Sequence, residues 1–383
     1  MPTTLTARQL HTSRGTIDHP VIVIDNDGLI ASIHSDPANK SEDVLTTTFL
    51  DIHTHGAANY DVMHASVAEL GVVNRFLATR GVGHYLPTTV TAPIDQTLRS
   101  LEALANAVES QTAANEARPV GIHLEGPFIS HAKKGVHPPA DILPPDIALF
   151  DRFQQAARGH IRLITIAPEI PGALALIEHA STRGVKVSIG HTDATSEEAE
   201  AAIAAGARSA THTFNAMRPL DHRAPGVIAV VLDDDRLFAE LICDGVHVAP
   251  SMVRLWLKAK GADKAILITD SMSAAGMPDG TYMLGTFQVE VANGIAMARG
   301  SLAGSVLTMD RAVANLQRFT GSSLGTAVRL ASHNPAKLLG LEDVIANPIA
   351  GQAADFNVFN SNGELQSTIL NGIRLQASED VQK

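Results

Sequence analysis

The chain of 383 residues has one cysteine, few aromatic residues and no long apolar run. Its single cysteine, Cys243, excludes an internal disulfide and a metal site built from several thiolates. No apolar run reaches the roughly 20 residues that a membrane-spanning helix needs, and the first residues lack the apolar core of a secretory signal. We therefore expect a soluble, cytoplasmic protein with no membrane partner.

Positive charge is also scarce, because 29 Lys and Arg residues face 40 acidic residues and leave a formal net charge of −11. A chain of this sign is repelled by a phosphate backbone, so the sequence argues against a nucleic-acid partner. Any anionic ligand must be held by a local cluster of Arg, His or backbone N–H groups. Apolar residues make up 45% of the chain, which is enough for a substantial core.

Short apolar runs of strand length alternate with segments of helical pattern that are rich in Ala, Leu and Glu. Eight such units begin with TTTFLDIHTHG at 46–56, and the last strand is KAILITDSM at 264–272. This alternation predicts parallel strands joined by helices. Eight units favour an α/β fold of the (β/α)₈ TIM type. An open doubly wound sheet is the alternative, but HTHG stands where such a sheet usually has its glycine-rich phosphate turn.

Both ends of the chain carry further strand-like segments outside the eight units. HPVIVIDNDGLIASI precedes them, and PIAGQAADFNVFN and STILNGIRL follow them. We predict that residues 1–49 and 341–383 pair into one small β-sandwich domain beside a catalytic barrel at 50–340. A β-hairpin near 281–298 is predicted as an insertion after the eighth strand.

Ionisable residues stand at the ends of the predicted strands, where packing residues would be expected. Active sites of TIM-type barrels lie at these carboxyl ends. The residues found there are Asp51, His53, His55, His123, Glu125, His191, Asp193, His212, Asp244, His247 and Asp270. We expect several of these side chains to meet in one site.

The pair His53 and His55 lies one pleat apart on a strand, so both imidazoles point to the same face. Alone, the pair could be a polar strand end. A metal centre is favoured because further imidazole and carboxylate groups end neighbouring strands, at Glu125, His191, His212 and Asp270. Such ligands suit Zn²⁺, Fe²⁺, Mn²⁺ or Co²⁺. His123 lies deeper in the predicted barrel, which favours a hydrogen-bonded core role.

Several sequence blocks resemble a known group of enzymes. DIHTHG on strand one, single histidines ending strands five and six, and an Asp ending strand eight resemble the amidohydrolase superfamily. Many members bridge two metals with a carbamylated lysine from strand four, but IRLITIAPE has none, and HLEGP of strand three offers Glu125 instead. Together with KKGVHPP, HTFNAM, DGVHV and ITDSMSA, this pattern resembles the N-acetylglucosamine-6-phosphate deacetylase family over the whole chain. N-acetylgalactosamine-6-phosphate deacetylases are similar, so the sugar epimer stays open.

The resemblance implies a role for each matching residue. The implied metal ligands are Glu125, His191, His212, Asp270, and the pair His53 and His55, which allows a second metal. The implied catalytic residues are Asp270, as acid and base, and His137, near the acetyl carbonyl. The implied substrate contacts are His137, Asn215, Ala216, Arg223 and His247, with phosphate on the Asn215–Ala216 loop. In this family the Arg223 position can reach the neighbouring subunit's site, which implies a functional homodimer.

The implied reaction is hydrolysis of the acetamide of N-acetyl-D-glucosamine 6-phosphate to D-glucosamine 6-phosphate and acetate, in amino-sugar catabolism. One or two divalent metals per subunit are implied, with Zn²⁺ the first choice. Another amidohydrolase, such as a dihydroorotase-like cyclic amidase or an isoaspartyl dipeptidase, is an alternative. A non-catalytic scaffold on the same fold would be expected to lose metal ligands that this chain keeps. Two local alternatives also remain: Asp270 as a helix cap, and Arg223 as the partner of Asp221.

Overall fold

A computed structural model of the chain describes residues 2–110 and 112–377. Eight parallel strands form a barrel within these residues, and each is followed along the chain by a helix. The strands are β1 (Phe49–Thr54), β2 (Val82–Thr89), β3 (Ile122–Glu125), β4 (Ile161–Ile166), β5 (Lys186–Ile189), β6 (Ser209–Ala210), β7 (Phe238–Ile242) and β8 (Ala265–Ile268). The helices are α1 (Val67–Thr79), α2 (Ile94–Glu109), α3 (Ile147–Ala156), α4 (Ala173–Thr182), α5 (Ser196–Ala205), α6 (Gly226–Asp233), α7 (Pro250–Lys260) and α8 (Met309–Thr320). The predicted TIM-type barrel is therefore confirmed.

Local sequence explains where several barrel helices begin. Ser66 caps α1 in a capping box with Glu69, and Thr195 caps α5 in the same way with Glu198. The inner faces of the helices pack on the strands in one large apolar core, in which Trp256 of α7 is fully buried. This packing holds the carboxyl ends of the strands in fixed positions, which a precise site requires.

The barrel closes by an irregular seam between β8 and β1. Consecutive strands from β1 to β8 pair in parallel, and the short strand Arg118–Pro119 also pairs with β2. At the seam, contact comes from residues at and beyond the strand ends. The His55 N–H donates to the Ser271 carbonyl at 2.7 Å, and the Asp270 N–H donates to the His53 carbonyl at 2.9 Å. The closure therefore lies at the carboxyl end of the barrel.

The two chain ends meet in a β-sandwich, as the predicted fold class requires. One sheet has three strands, Thr3–Thr6, Pro20–Ile24 and Ile30–Ser35. The other has six, in the order Ile373–Gln376, Leu365–Leu370, Phe356–Phe359, Val44–Thr47, Gln9–Thr12 and Gly15–Asp18. Residues such as Leu10, Ile22 and Phe356 form a separate apolar core. The domain boundaries at 49/50 and 340/341 stay a prediction, and residues 1 and 378–383 lie outside the described part.

Residues 280–302 form an antiparallel sheet after β8. Its four strands are Gly280–Leu284, Phe287–Ala292, Ile295–Ala298 and Ser301–Leu302. We call it the insertion sheet, and it has its own apolar core. The remaining short elements are the strand pair Gly56–Ala57 and Tyr60–Asp61, 3₁₀ turns His131–Lys133 and Pro139–Asp141, α-helices Leu324–Val328, Asn334–Leu339 and Glu342–Ile345, and a π-helical turn Arg329–His333. None of the helices in the described part is long and apolar enough to cross a membrane.

Candidate active site

Six side chains converge at the carboxyl end of the barrel in two groups that could each hold a metal ion. The first group is His53, His55 and Asp270, and the second is Glu125, His191 and His212. Within each group the candidate ligand atoms all lie within 4.8 Å of one another, and all six residues are buried. The sequence placed these residues at five different strand ends, and the barrel brings them together.

Glu125 connects the two groups. Its Oε1 lies 3.2 Å from His212 Nε2, 3.3 Å from His191 Nε2 and 3.5 Å from His53 Nε2. Its Oε2 lies 3.4 Å from His55 Nε2. One carboxylate therefore reaches both groups, so two ions bound here could share it.

Backbone carbonyls fix the orientation of two of the imidazoles. His55 Nδ1 lies 3.0 Å from the Thr88 carbonyl, and His191 Nδ1 lies 2.9 Å from the Lys133 carbonyl. Because a carbonyl only accepts, each Nδ1 must donate, and in the neutral ring each Nε2 then turns a lone pair toward the cluster. Lone pairs and carboxylates converging in a buried space need a cation for compensation. The donor set therefore fits a divalent metal ion.

The electrostatics of the cluster lead to the same conclusion. Burial opposes a charge on His55, but the carboxylates of Asp270 and Glu125 outweigh it and raise the pKa of His55 to about 9. Burial would also raise the pKa of Asp270, but the neighbouring His53 and His55 lower it below its usual range. Protons on the imidazoles thus balance the carboxylates when no metal ion is bound. A metal ion would replace those protons.

The backbone at the site is strained. His191, His212, Phe214, Ala216 and Asp270 all have positive φ angles, of 47°, 30°, 81°, 48° and 50°. Residues with side chains rarely adopt this left-handed region, and each instance costs on the order of 1–3 kcal/mol. Such strain persists only where surrounding structure enforces it. Its concentration here indicates that the fold holds these side chains in directions that an ordinary strand end would not give.

His137 is held as a neutral donor beside the cluster. Its Nδ1 accepts from the Thr91 N–H at 3.3 Å and lies 2.8 Å from Thr91 Oγ1. Burial and the nearby His191 lower the pKa of His137 to about 4. The ring is therefore neutral near pH 7 and carries its proton on Nε2, which lies 3.6 Å from Glu125 Oε2. That N–H can be donated to a ligand atom above the cluster.

One cavity of about 450 Å³ opens onto both groups of ligands. Its wall includes His55, Glu125, His137, His191, His212, Asn215, Ala216, His247 and Asp270. The insertion sheet and the segment after it complete the wall with Leu284, Ser301, Leu302 and Gly304. The volume and the mixed polar and apolar wall suit a small molecule.

Several polar groups in this wall are placed to bind an anion. His247 Nδ1 lies 2.6 Å from Asp244 Oδ2; burial lowers the pKa of His247, but Asp244 outweighs burial and raises it. Asn215 Nδ2 donates to the His212 carbonyl at 3.3 Å. Within the described chain no acceptor takes the Ala216 N–H. An imidazole whose pKa is raised and a free backbone donor on one wall favour a negatively charged ligand.

Arg223 does not line the cavity of its own chain. Its side chain is exposed, and its N–H donates to Asp221 Oδ1 at 2.8 Å. Across the described residues, the guanidinium has no ion pair with Asp221 or any other carboxylate. The alternative in which Asp221 neutralises this charge therefore has no support.

Sequence reasoning missed groups that orient the site. Thr91 holds His137, and the Lys133 carbonyl holds His191. Glu240, a single acidic residue inside the apolar run LFAELIC, lies in the barrel interior. That interruption was a readable signal, whereas a contact to a backbone carbonyl leaves none. His123 bonds to Thr165 Oγ1 at 2.8 Å, as its predicted core role requires.

Comparison with known proteins identifies the class of protein that this fold and site define. A model described as "Amidohydrolase family" matches residues 44–374. Because that match spans most of the chain, the protein belongs to the amidohydrolase family.

Within the family, the similarity extends over nearly the whole length of amino-sugar-phosphate deacetylases. The chain is 37% identical to N-acetylgalactosamine-6-phosphate deacetylase of Escherichia coli O157:H7, over 96% of this chain and 98% of that protein. It is 38% identical to N-acetylglucosamine-6-phosphate deacetylase of Bacillus subtilis (strain 168), over 91% and 90%. A structure of a Mycobacterium smegmatis N-acetyl-D-glucosamine-6-phosphate deacetylase variant, in complex with N-acetyl-D-glucosamine-6-phosphate, has a TM-score of 0.91 and 34% identity, covering 97% and 99%.

Proposed function

We propose that this protein hydrolyses the acetamide of N-acetyl-D-glucosamine 6-phosphate and releases D-glucosamine 6-phosphate and acetate. The observation that carries the proposal is a single cavity whose wall combines two candidate metal groups, a buried Asp and a neutral His donor. Full-length similarity to deacetylases of this substrate supports the same reaction.

The proposed metal ligands are the six converging side chains, His53, His55, Glu125, His191, His212 and Asp270. Imidazole and carboxylate donors favour Zn²⁺, and Fe²⁺, Mn²⁺ and Co²⁺ are also compatible. A divalent ion held by these residues would supply a water of lowered pKa and would polarise the amide carbonyl. We propose one or two ions per subunit, and Glu125 lies within reach of both groups of ligands.

Asp270 is the proposed proton carrier. It lines the cavity and is buried, and positive charge in the cluster, carried by the imidazole protons or by a metal ion that replaces them, favours its carboxylate form. It can accept the proton of the attacking water and return it to the departing amine. The same residue thus acts as base first and as acid second, because an amide nitrogen leaves only when protonated.

His137 is the proposed donor to the acetyl oxygen. Its Nε2–H faces the cluster, and Thr91 keeps that proton on Nε2 by donating to Nδ1. Negative charge develops on the acetyl oxygen during attack, and one fixed donor can contribute roughly 2.7–4 kcal/mol there.

The phosphate is proposed to bind Asn215, the Ala216 N–H and His247 of one subunit, and Arg223 of another. The exposed Arg223 supports this because its guanidinium has no carboxylate partner in its own described chain. Arg offers a forked donor that matches a phosphate. A homodimer follows from this assignment. A sugar phosphate does not cross a lipid bilayer unaided, which supports a cytoplasmic location.

N-acetyl-D-galactosamine 6-phosphate is the second candidate substrate, because a relative of 37% identity is named for it. The test is acetate release from both epimers, and from unphosphorylated N-acetylglucosamine, by protein of known metal content. We expect the phosphorylated glucosamine derivative to give the highest kcat/KM. A higher kcat/KM for N-acetyl-D-galactosamine 6-phosphate would make that sugar the preferred substrate. Absence of acetate release from all three compounds would exclude the proposed function.

A further inference from the structure

Glu240 is a buried acid that the proposed mechanism does not use. It stands in the middle of β7 and its side chain is fully shielded from solvent. Its Oε1 accepts hydrogen bonds from Ser209 Oγ at 2.9 Å and from Ser188 Oγ at 3.3 Å. A carboxylate in a barrel interior is costly to bury, so its second oxygen needs an equally good partner.

That second oxygen faces His53. Glu240 Oε2 and His53 Nδ1 lie 3.8 Å apart, and both side chains are 0% exposed. Each of these two atoms lacks a hydrogen-bond partner within residues 2–110 and 112–377. The gap is longer than a hydrogen bond, and a small rotation of either side chain closes it. One of these buried atoms can donate a hydrogen bond and the other can accept it, so the two can satisfy each other as a histidine–carboxylate pair.

We propose that Glu240 is the positioning residue for His53. It accepts the His53 Nδ1–H and thereby turns the Nε2 lone pair toward the metal position that His53 would share with His55 and Asp270. The inference rests on the proposed metal centre. A carboxylate behind a ligating histidine fixes its tautomer and increases its basicity. His55 and His191 already have carbonyls in this position, so Glu240 supplies His53 with the equivalent acceptor.

A buried chain of hydrogen bonds supports an acceptor at this place. Thr211 Oγ1 donates to Ser188 Oγ at 2.7 Å, and Ser188 Oγ donates to Glu240. Since each hydroxyl has one proton, Thr165 Oγ1 must donate to Thr211 Oγ1, 2.8 Å away, and His123 Nε2 must donate to Thr165. All the protons therefore point toward Glu240, which ends the chain as a pure acceptor.

The test is a two-site metal titration of the full-length protein with Co²⁺, in competition with a chelator, on wild type and Glu240→Gln. The amide keeps the shape and can still accept from the serines, but it presents N–H to His53 Nδ1 and moves the His53 proton to Nε2. We expect affinity at the His53–His55–Asp270 group to fall about 10–100-fold. Affinity at the Glu125–His191–His212 group should be unchanged.

Ser209→Ala is the matched control, because it removes a hydrogen bond from Oε1 and leaves Oε2 facing His53. It should leave both metal affinities near those of wild type. Unchanged affinities in Glu240→Gln, or an equal loss in Ser209→Ala, would overturn the inference. Wild-type protein that binds Co²⁺ only at the Glu125–His191–His212 group would also overturn it. If that protein still released acetate, the proposed function would stand and only the role of Glu240 would fall.

A second measurement applies even if Glu240→Gln does not fold. In Zn²⁺-loaded wild type labelled with ¹⁵N-histidine, the His53 Nδ1–H should give a low-field, slowly exchanging proton signal. The spectrum of His53→Gln identifies that signal by its loss. A His53 Nδ1 proton that exchanges as fast as an exposed imidazole would show that no carboxylate accepts it.

Discussion

At the scale of single residues, Asp270 makes the most direct prediction. Asp270→Asn removes the proposed proton carrier, so kcat should fall by about 10²–10⁴. The metal ion at Glu125, His191 and His212 should remain, since those ligands are unchanged. Steady-state kinetics together with metal analysis of the purified variant measure both effects.

Asp193→Asn is the control for that variant. Asp193 follows β5 four residues beyond its end, pairs with Arg218 at 3.1 Å and with Lys133 at 3.5 Å, and lies outside the cavity wall. Its loss should leave kcat close to that of wild type. Near wild-type turnover by Asp270→Asn would instead rule out the proton-carrier role.

His84 makes a prediction about stability and pH. Burial and the charge of Arg118 lower the pKa of His84 from 6.5 to about 3. Between these values the unfolded chain binds the proton more tightly, so the stability that His84 contributes above pH 6.5 is lost as pH falls. The loss at pH 5 should be about 2 kcal/mol, since each pKa unit is worth about 1.36 kcal/mol.

Urea unfolding at pH 5 and pH 7.5 tests this assignment. His84→Gln carries no titrating ring, so its two free energies of unfolding should differ less than those of wild type. His34→Gln changes an exposed imidazole and should keep the wild-type difference. An unchanged pH dependence in His84→Gln would assign the acid sensitivity to other groups.

The residue scale also shows what the sequence could predict about the site. His53 and His55 had to share a face because side chains alternate along a strand, and the barrel topology places strand ends together. The contacts made by Thr91 and the Lys133 carbonyl could not be predicted, because they depend on the path of the long loop between β3 and α3, which carries both Lys133 and His137. The positive φ angles of His191 and Asp270 likewise depend on tertiary contacts.

At the scale of elements, the insertion sheet forms part of the cavity wall. Leu284 is in its apolar core and also lines the cavity, whereas Val289 is in the core alone. Leu284→Ala and Val289→Ala should both lower the melting temperature, because truncating a buried Leu typically costs about 2–5 kcal/mol and truncating a Val also leaves a cavity. Only Leu284→Ala should raise KM, because it removes a side chain that lines the cavity.

Melting curves and kinetics on the same preparations separate the two effects. Equal KM values for Leu284→Ala and wild type would mean that the substrate does not touch this wall. A matching rise of KM in Val289→Ala would mean that loosening of the sheet, rather than the Leu284 side chain, is responsible.

The same element marks a limit of prediction from sequence. The eight barrel units are regular, so hydrophobic period and length were enough to predict them. The turn at Asn293 and Gly294 indicated a hairpin near 281–298, and the structure has strands as far as Leu302. Strands of two residues, such as Ser301–Leu302, are too short to leave a periodic pattern.

At the scale of the whole molecule, the proposed homodimer predicts complementation between two impaired variants, assayed at a substrate concentration below KM. If Arg223 binds phosphate in the partner's site, Arg223→Ala and Asp270→Asn damage each site from different chains. A mixed dimer then has one site with Asp270 from the first chain and Arg223 from the second. Co-expressed variants should therefore recover activity that neither shows alone.

The activity of the co-expressed pair is compared with the activities of the two variants that are expressed and purified separately. Activity of the co-expressed sample at the sum of the two separate samples would exclude a contribution across subunits. As a further check, Arg223→Ala should raise KM for the phosphorylated sugar far more than for unphosphorylated N-acetylglucosamine.

The seam between β8 and β1 links metal binding to the stability of the closed barrel. The ends of the ring are joined by the backbone of His53, His55, Asp270 and Ser271, and three of these residues are candidate metal ligands. Binding an ion there would lock the join, and at a concentration 1,000 times Kd it would add about 4.1 kcal/mol to stability. Stripping the ion should therefore speed amide hydrogen exchange at His55 and Asp270 more than along the β4–β5 ladder. Ion binding would thus complete the metal site and stabilise the closure of the barrel at the same time.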